Sequence, residues 1–206
     1  MSRVRLPLKS RPMDIIYFIF FLIHIPATIL IDLQVLYPAE FVPKAIAELP
    51  KWYLQQYADP IIAGVFDLNG PPALWVWLKS FMVLEAVFQL PVFFIGLYAL
   101  WTDSFVTYPL FLIYSASATT STLPCISTLL RTPISSTPVP PVLLDPSNLT
   151  ITPEQRINLL ASYLPFFVIQ LVMCVDMSLR VAGFVAMAER GMEQRAGKRA
   201  KKEKAQ

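Results

Sequence analysis

Four apolar runs fill most of this 206-residue chain, and each is long enough to cross a bilayer as a helix of ~20 residues. They extend from about Met13 to Leu36, Ala73 to Trp101, Ser104 to Leu130 and Ile157 to Ala188. Charged residues make up only 15% of the chain, whereas a soluble domain carries about 25%. The sequence therefore predicts an all-α membrane protein, a four-helix transmembrane bundle with short cap helices on the lumenal side. The second and third runs are joined by Thr102-Asp103-Ser104 alone, so they must form an antiparallel hairpin.

Basic residues set the orientation. Arg3, Arg5, Lys9 and Arg11 lie in the N-terminal arm, and Arg180, Arg190, Arg195, Lys198, Arg199, Lys201, Lys202 and Lys204 lie near the C-terminus. Four crossings put both ends on one side, which reads as cytoplasmic. The expected organisation is a basic arm over 1–12, a membrane domain over 13–188 and a basic tail over 189–206. Loops at about 37–72 and 131–156 are then lumenal. The first holds Trp52, Tyr53 and Tyr57 and predicts amphipathic helices at the membrane boundary. The second is rich in Pro, Ser and Thr and reads as mobile, with a glycosylation sequon at Asn148-Leu149-Thr150. Lys202 and Lys204 have the placement of a dibasic retrieval signal of the endoplasmic reticulum, or of a tail drawn to anionic lipid.

Chemistry has few carriers here. No hydrolase elbow, phosphate loop or dinucleotide fingerprint is present, and no nucleic-acid motif accompanies the basic tail. One histidine excludes a His-rich metal site, and no cofactor is expected. Cys125 and Cys174 sit in apolar runs and read as small buried residues. Ionisable residues within a membrane face the bundle interior. Asp176 and Arg180 have the i,i+4 spacing of a helical ion pair. Asp32 and Glu85 have no basic partner in their own helices and lie at similar depth. Together they form either a site for a cation or a hydrogen-bonded knot between helices. His24, two turns before Asp32, reads first as a packing residue. The hydroxyl face of the third run, including Ser121, either tightens helix packing or lines a cavity. Prolines at 26, 91, 124 and 165 predict kinks and a bundle bowed around a pocket.

Several segments are familiar in combination. They are His24-Ile25-Pro26, Asp32-Leu33-Gln34, Lys51-Trp52-Tyr53, Asp59-Pro60, Glu85, Phe88-Gln89-Leu90-Pro91, Ile113-Tyr114-Ser115 and Ser162-Tyr163. In this order they resemble the EXPERA family, and its sigma-2-receptor branch in particular. The resemblance covers about residues 13 to 181. It implies a homodimer in the endoplasmic-reticulum membrane with a pocket for sterols and cationic amphiphiles. Asp32 would pair with a ligand amine, Asp59 would support it and Glu85 would hydrogen-bond nearby. Gln89, Tyr114 and Tyr163 would line the pocket, with His24, Thr28, Ser121 and Phe166 at its edge. Phe166 stands where the receptor branch has a tyrosine, and Ser117 where it has a histidine. The family also includes a sterol isomerase, whose pattern has a histidine one turn before its first-helix acid. Here that place is Thr28. The expected function is thus sterol and amphiphile binding in sterol homeostasis or trafficking. The alternatives are isomerisation and an adaptor role on a sterol transporter.

Overall fold

The computed structural model describes residues 5–136 and 150–203. Among the described residues the regular secondary structure is helical, apart from one isolated bridge between Ile134 and Ile151. Helix α1 spans Pro12–Leu30. Short helices α2 (Lys44–Ala47), α3 (Leu49–Tyr57) and α4 (Pro60–Val65) follow. Then come α5 (Val76–Leu84) and α6 (Leu90–Trp101), joined by a π-helical turn at Glu85–Gln89. Helix α7 spans Tyr108–Arg131 and α8 spans Pro153–Glu203.

Three helical stretches are long and apolar enough to cross a membrane: Pro12–Leu36, Pro72–Trp101 and Pro153–Lys198. The expected third crossing, α7, is long enough at 24 residues, but its hydroxyls lower its hydropathy. Those hydroxyls bond back to their own helix. Ser115 and Thr119 each donate to the carbonyl four residues earlier at 2.7 Å, and Thr122 does so at 2.8 Å. A hydroxyl satisfied in this way adds little desolvation cost in an apolar setting.

Proline and polar caps shape the ends. The α-helical part of the first run stops at Leu30, short of the expected Leu36, and continues as a 3-10 turn over Asp32–Leu36. Pro26 removes one backbone donor within this stretch. The Gln34 amide takes the Leu30 carbonyl, left open where the α-helix ends, and also that of Ile46 at 2.8 Å, which ties the turn to α2. Pro91 sits two residues beyond the end of the π turn, in which the Leu90 N–H reaches the Glu85 carbonyl. The hairpin between α6 and α7 closes on Asp103 in the left-handed region, φ 54°. The Ser104 N–H there bonds the Ala99 carbonyl at 2.9 Å, a Schellman ending. Helix α8 opens on a capping box, in which Thr152 and Gln155 exchange side chain to backbone bonds at 2.9 and 3.1 Å. Instead of ending near Ala188, α8 runs on through the basic tail to Glu203.

The core is aromatic. Phe21 stacks on Phe93 at 5.5 Å and meets Tyr114 edge-on at 5.5 Å. Gly96 lets α6 approach α1, because a Cβ there would come within 2.5 Å of the Phe21 ring. At the end of the bundle where α1 and α7 begin, charges on α1 and α8 meet a hydroxyl of α7. Asp14 pairs with Arg11 and, at 2.8 Å, with Arg180. Arg180 also binds Asp176 at 2.7 Å and donates to the Tyr108 hydroxyl at 3.1 Å. The expected Asp176–Arg180 pair is thus part of a larger network. Asn148 of the sequon, most of the Pro/Ser/Thr-rich loop and Lys204 lie outside the described residues.

Candidate functional site

A cavity of about 330 Å³ opens at the other end of the bundle. Its walls come from the C-terminal parts of α1 and α7, the N-terminal part of α8, the α5–π stretch, and α3 and α4. This is where the chain's proline and π-turn irregularities gather. Irregular backbone at membrane depth belongs where it lines a cavity, and π turns concentrate at functional sites.

Asp32, Glu85, Gln89, Tyr163, His24, Ser121 and Phe166 all line this space. The two acids that sequence depth suggested could meet do meet. One ligand atom from each of His24, Asp32 and Glu85 lies within 4.8 Å of the others. The Thr28 hydroxyl donates to Glu85 Oε1 at 2.7 Å, and His24 Nε2 lies 3.8 Å from the same oxygen. His24 is held among Phe20, Phe93 and Phe166, with ring centroids 5.0, 4.8 and 4.8 Å away. Among the described residues, no lysine or arginine forms an ion pair with either Asp32 or Glu85.

Asp59 stands one layer behind. Its Oδ1 caps α4 by accepting from the Ile61 and Ile62 N–H groups at 2.8 and 3.3 Å. Its Oδ2 accepts from Tyr163 at 2.9 Å and Tyr53 at 3.1 Å, two rings that line the cavity. Burial raises the Asp59 carboxyl above the usual carboxylate range, against the opposing pull of these four hydrogen bonds. The same burial, reinforced by the Asp59 charge, pushes the Tyr53 hydroxyl upward. Thr28 and Tyr114 are fully buried and lie behind the wall. Tyr114 accepts a hydrogen bond from the Gln170 amide at 3.4 Å.

Sequence reasoning missed Gln170 as a wall residue, and it placed Tyr53 at a membrane boundary rather than in a site; Thr122, part of the hydroxyl face read as packing or cavity lining, does line the cavity. Gln170 carried a signal: it is an amide in an apolar run, seven residues after Tyr163 and so on the same helical face. Cys125, read as a small buried residue, is buried but also touches the cavity.

Residues 45–177 match the model of the family described as EXPERA (EXPanded EBP superfamily). The chain is 33% identical over 173 residues to sigma intracellular receptor 2 of Macaca fascicularis, covering 83% of this chain and 90% of that one. The Homo sapiens protein of the same name is 32% identical over the same shares. The Saccharomyces cerevisiae protein "Efficient mitochondria targeting-associated protein 19" is 30% identical over 77% of this chain and 92% of its own length. With helices of membrane-crossing length, and with the family match spanning most of the cavity wall, the chain is a membrane protein that belongs to the EXPERA family.

Proposed function

We propose that this protein binds sterols and cationic amphiphiles in the acid-lined cavity, as a four-helix protein of the endoplasmic-reticulum membrane that acts in sterol homeostasis or trafficking. In this reading both termini are cytoplasmic, α2 to α4 cap the lumenal end and the working form is a homodimer. One observation carries the proposal: Asp32 and Glu85 share a mostly apolar, aromatic-walled cavity with no arginine or lysine among the described residues to neutralise them. A ligand with one cation and a large apolar body suits that chemistry. Its charge gains most where water is excluded, and its body contributes roughly 25 cal/mol per Å² of apolar area buried. Tyr163 and Tyr53, held by Asp59, fix the wall nearest that charge.

A second reading, sterol isomerisation, gains from the position of His24. Moving a ring double bond by one position needs an acid to protonate one alkene carbon and a base to take a proton from the carbon beyond the other. The His24–Glu85 pair at 3.8 Å supplies two such groups, although from a different place than the pattern that put Thr28 one turn before Asp32. The third reading, an adaptor on a sterol transporter, would rest on the loops. The deciding experiment uses the full chain in lipid nanodiscs with a radiolabelled amphiphilic amine and a sterol bearing a ring double bond. Amine binding lost in Asp32→Asn, with the sterol recovered unchanged, is the expected outcome. Isomerised sterol from the wild type would favour the enzyme. Amine binding that survives Asp32→Asn would sink the binding proposal.

A further inference from the structure

The cavity holds a buried imidazole that no protein group satisfies. His24 Nδ1 is enclosed without a hydrogen-bond partner, and Nε2 stops 3.8 Å from Glu85, beyond hydrogen-bond reach. Buried polar atoms are nearly always paired, so an unpaired ring beside two acids calls for an occupant. We infer that His24, Asp32 and Glu85 form a binding site for a divalent transition-metal ion of the zinc class.

Three observations support the site. The first is proximity: one ligand atom from each residue lies within 4.8 Å of the other two. A tetrahedral zinc ion with bonds of about 2.0–2.1 Å holds its ligands about 3.3 Å apart. The His24–Glu85 separation is already within about half an ångström of that spacing. Asp32 closes the rest by turning its side chain about staggered rotamers. The second is charge. Two carboxyls with no lysine or arginine partner among the described residues cannot both stay ionised in an apolar wall, and a divalent ion would neutralise both. The third is support around the ligands. The Thr28 hydroxyl fixes Glu85 at 2.7 Å, and three aromatic rings fix the plane of His24. The donors also come from separate backbone segments: the interior of α1, the 3-10 turn after it and the π turn. An imidazole with two carboxylates selects zinc-like ions over calcium or magnesium. Three protein ligands leave a fourth position facing the cavity, open to water or to a ligand oxygen.

The inference does not depend on sterol binding, although an amine and the metal would compete for Asp32. The test is the full chain in nanodiscs, stripped with chelator and equilibrated with zinc chloride. Metal is counted by mass spectrometry and affinity is measured by calorimetry, with calcium chloride in parallel. One zinc per chain is expected, with calcium failing to replace it. Thr28→Val, which keeps all three ligands, should weaken zinc about tenfold or more. His24→Ala and Asp32→Asn should abolish binding while their thermal melts remain cooperative. No stoichiometric zinc, or zinc bound as tightly by a folded His24→Ala, overturns the site. Zinc binding by a protein that ignores amphiphiles would leave this inference standing and count against the proposed function alone.

Discussion

Asp59 links a helix cap to two cavity tyrosines, and its carboxyl is displaced upward by burial. The folded chain therefore holds this proton to a higher pH than the unfolded chain does. Its contribution to stability is complete below the unfolded carboxyl's range and is lost as pH rises through the folded one. Thermal melts of the wild type should lose stability across that interval, and Asp59→Asn, which cannot titrate, should flatten the slope. Asp59→Ala removes the cap and leaves two buried hydroxyls unmatched. It should cost on the order of 3 kcal/mol, read as a lower melting temperature in nanodiscs. At this scale the sequence was informative where a residue type is expensive. Asp32 and Glu85 stood out because an acid in an apolar run demands a reason. His24 was read first as a packing residue, because spacing along α1 relates it only to Asp32, whereas its contact with Glu85 comes from another helix.

Between elements, close approach is set by a few small residues and a few backbone irregularities. Gly96→Ala would drive a methyl to 2.5 Å from the Phe21 ring, with Phe111 at 3.3 Å blocking retreat. It should destabilise the α1–α6 packing by about 2 kcal/mol. Gly183→Ala in α8 meets nothing within 4 Å and should be neutral, or stabilising by up to about 1 kcal/mol through helix propensity. The two variants compared in one melt series check the packing account. The apolar runs made α1, α5–α6 and α8 legible. The π turn at Glu85–Gln89 was not, because a 3.6-residue period read along the chain assumes an unbroken helix. Pro91 was read as a kink, and the backbone just before it takes a widened turn.

Across the whole molecule the two ends of the bundle are built differently. One end surrounds a cavity, and the other is tied shut by Arg11, Asp14, Asp176 and Arg180. Asp14→Ala would leave Arg180 short of one partner in a mostly buried network, at a cost of about 3 kcal/mol in thermal stability. The network's full membership was hidden in the sequence. Asp176 and Arg180 are a visible i,i+4 pair, but Asp14 lies far away along the chain and only the fold joins them.

Helix α8 passes the cavity wall at Phe166, is gripped at Arg180 and continues without a break to Glu203. At 1.5 Å per residue, the arm from Phe166 to Arg180 is about 21 Å long, and the arm from Arg180 to Glu203 is about 35 Å. A rod held at that point is a lever of unequal arms. If an occupant displaces the wall by an ångström, the far tip swings roughly 1.6 Å the opposite way. A rigid α8 pivoting there would gear the basic tail to the cavity.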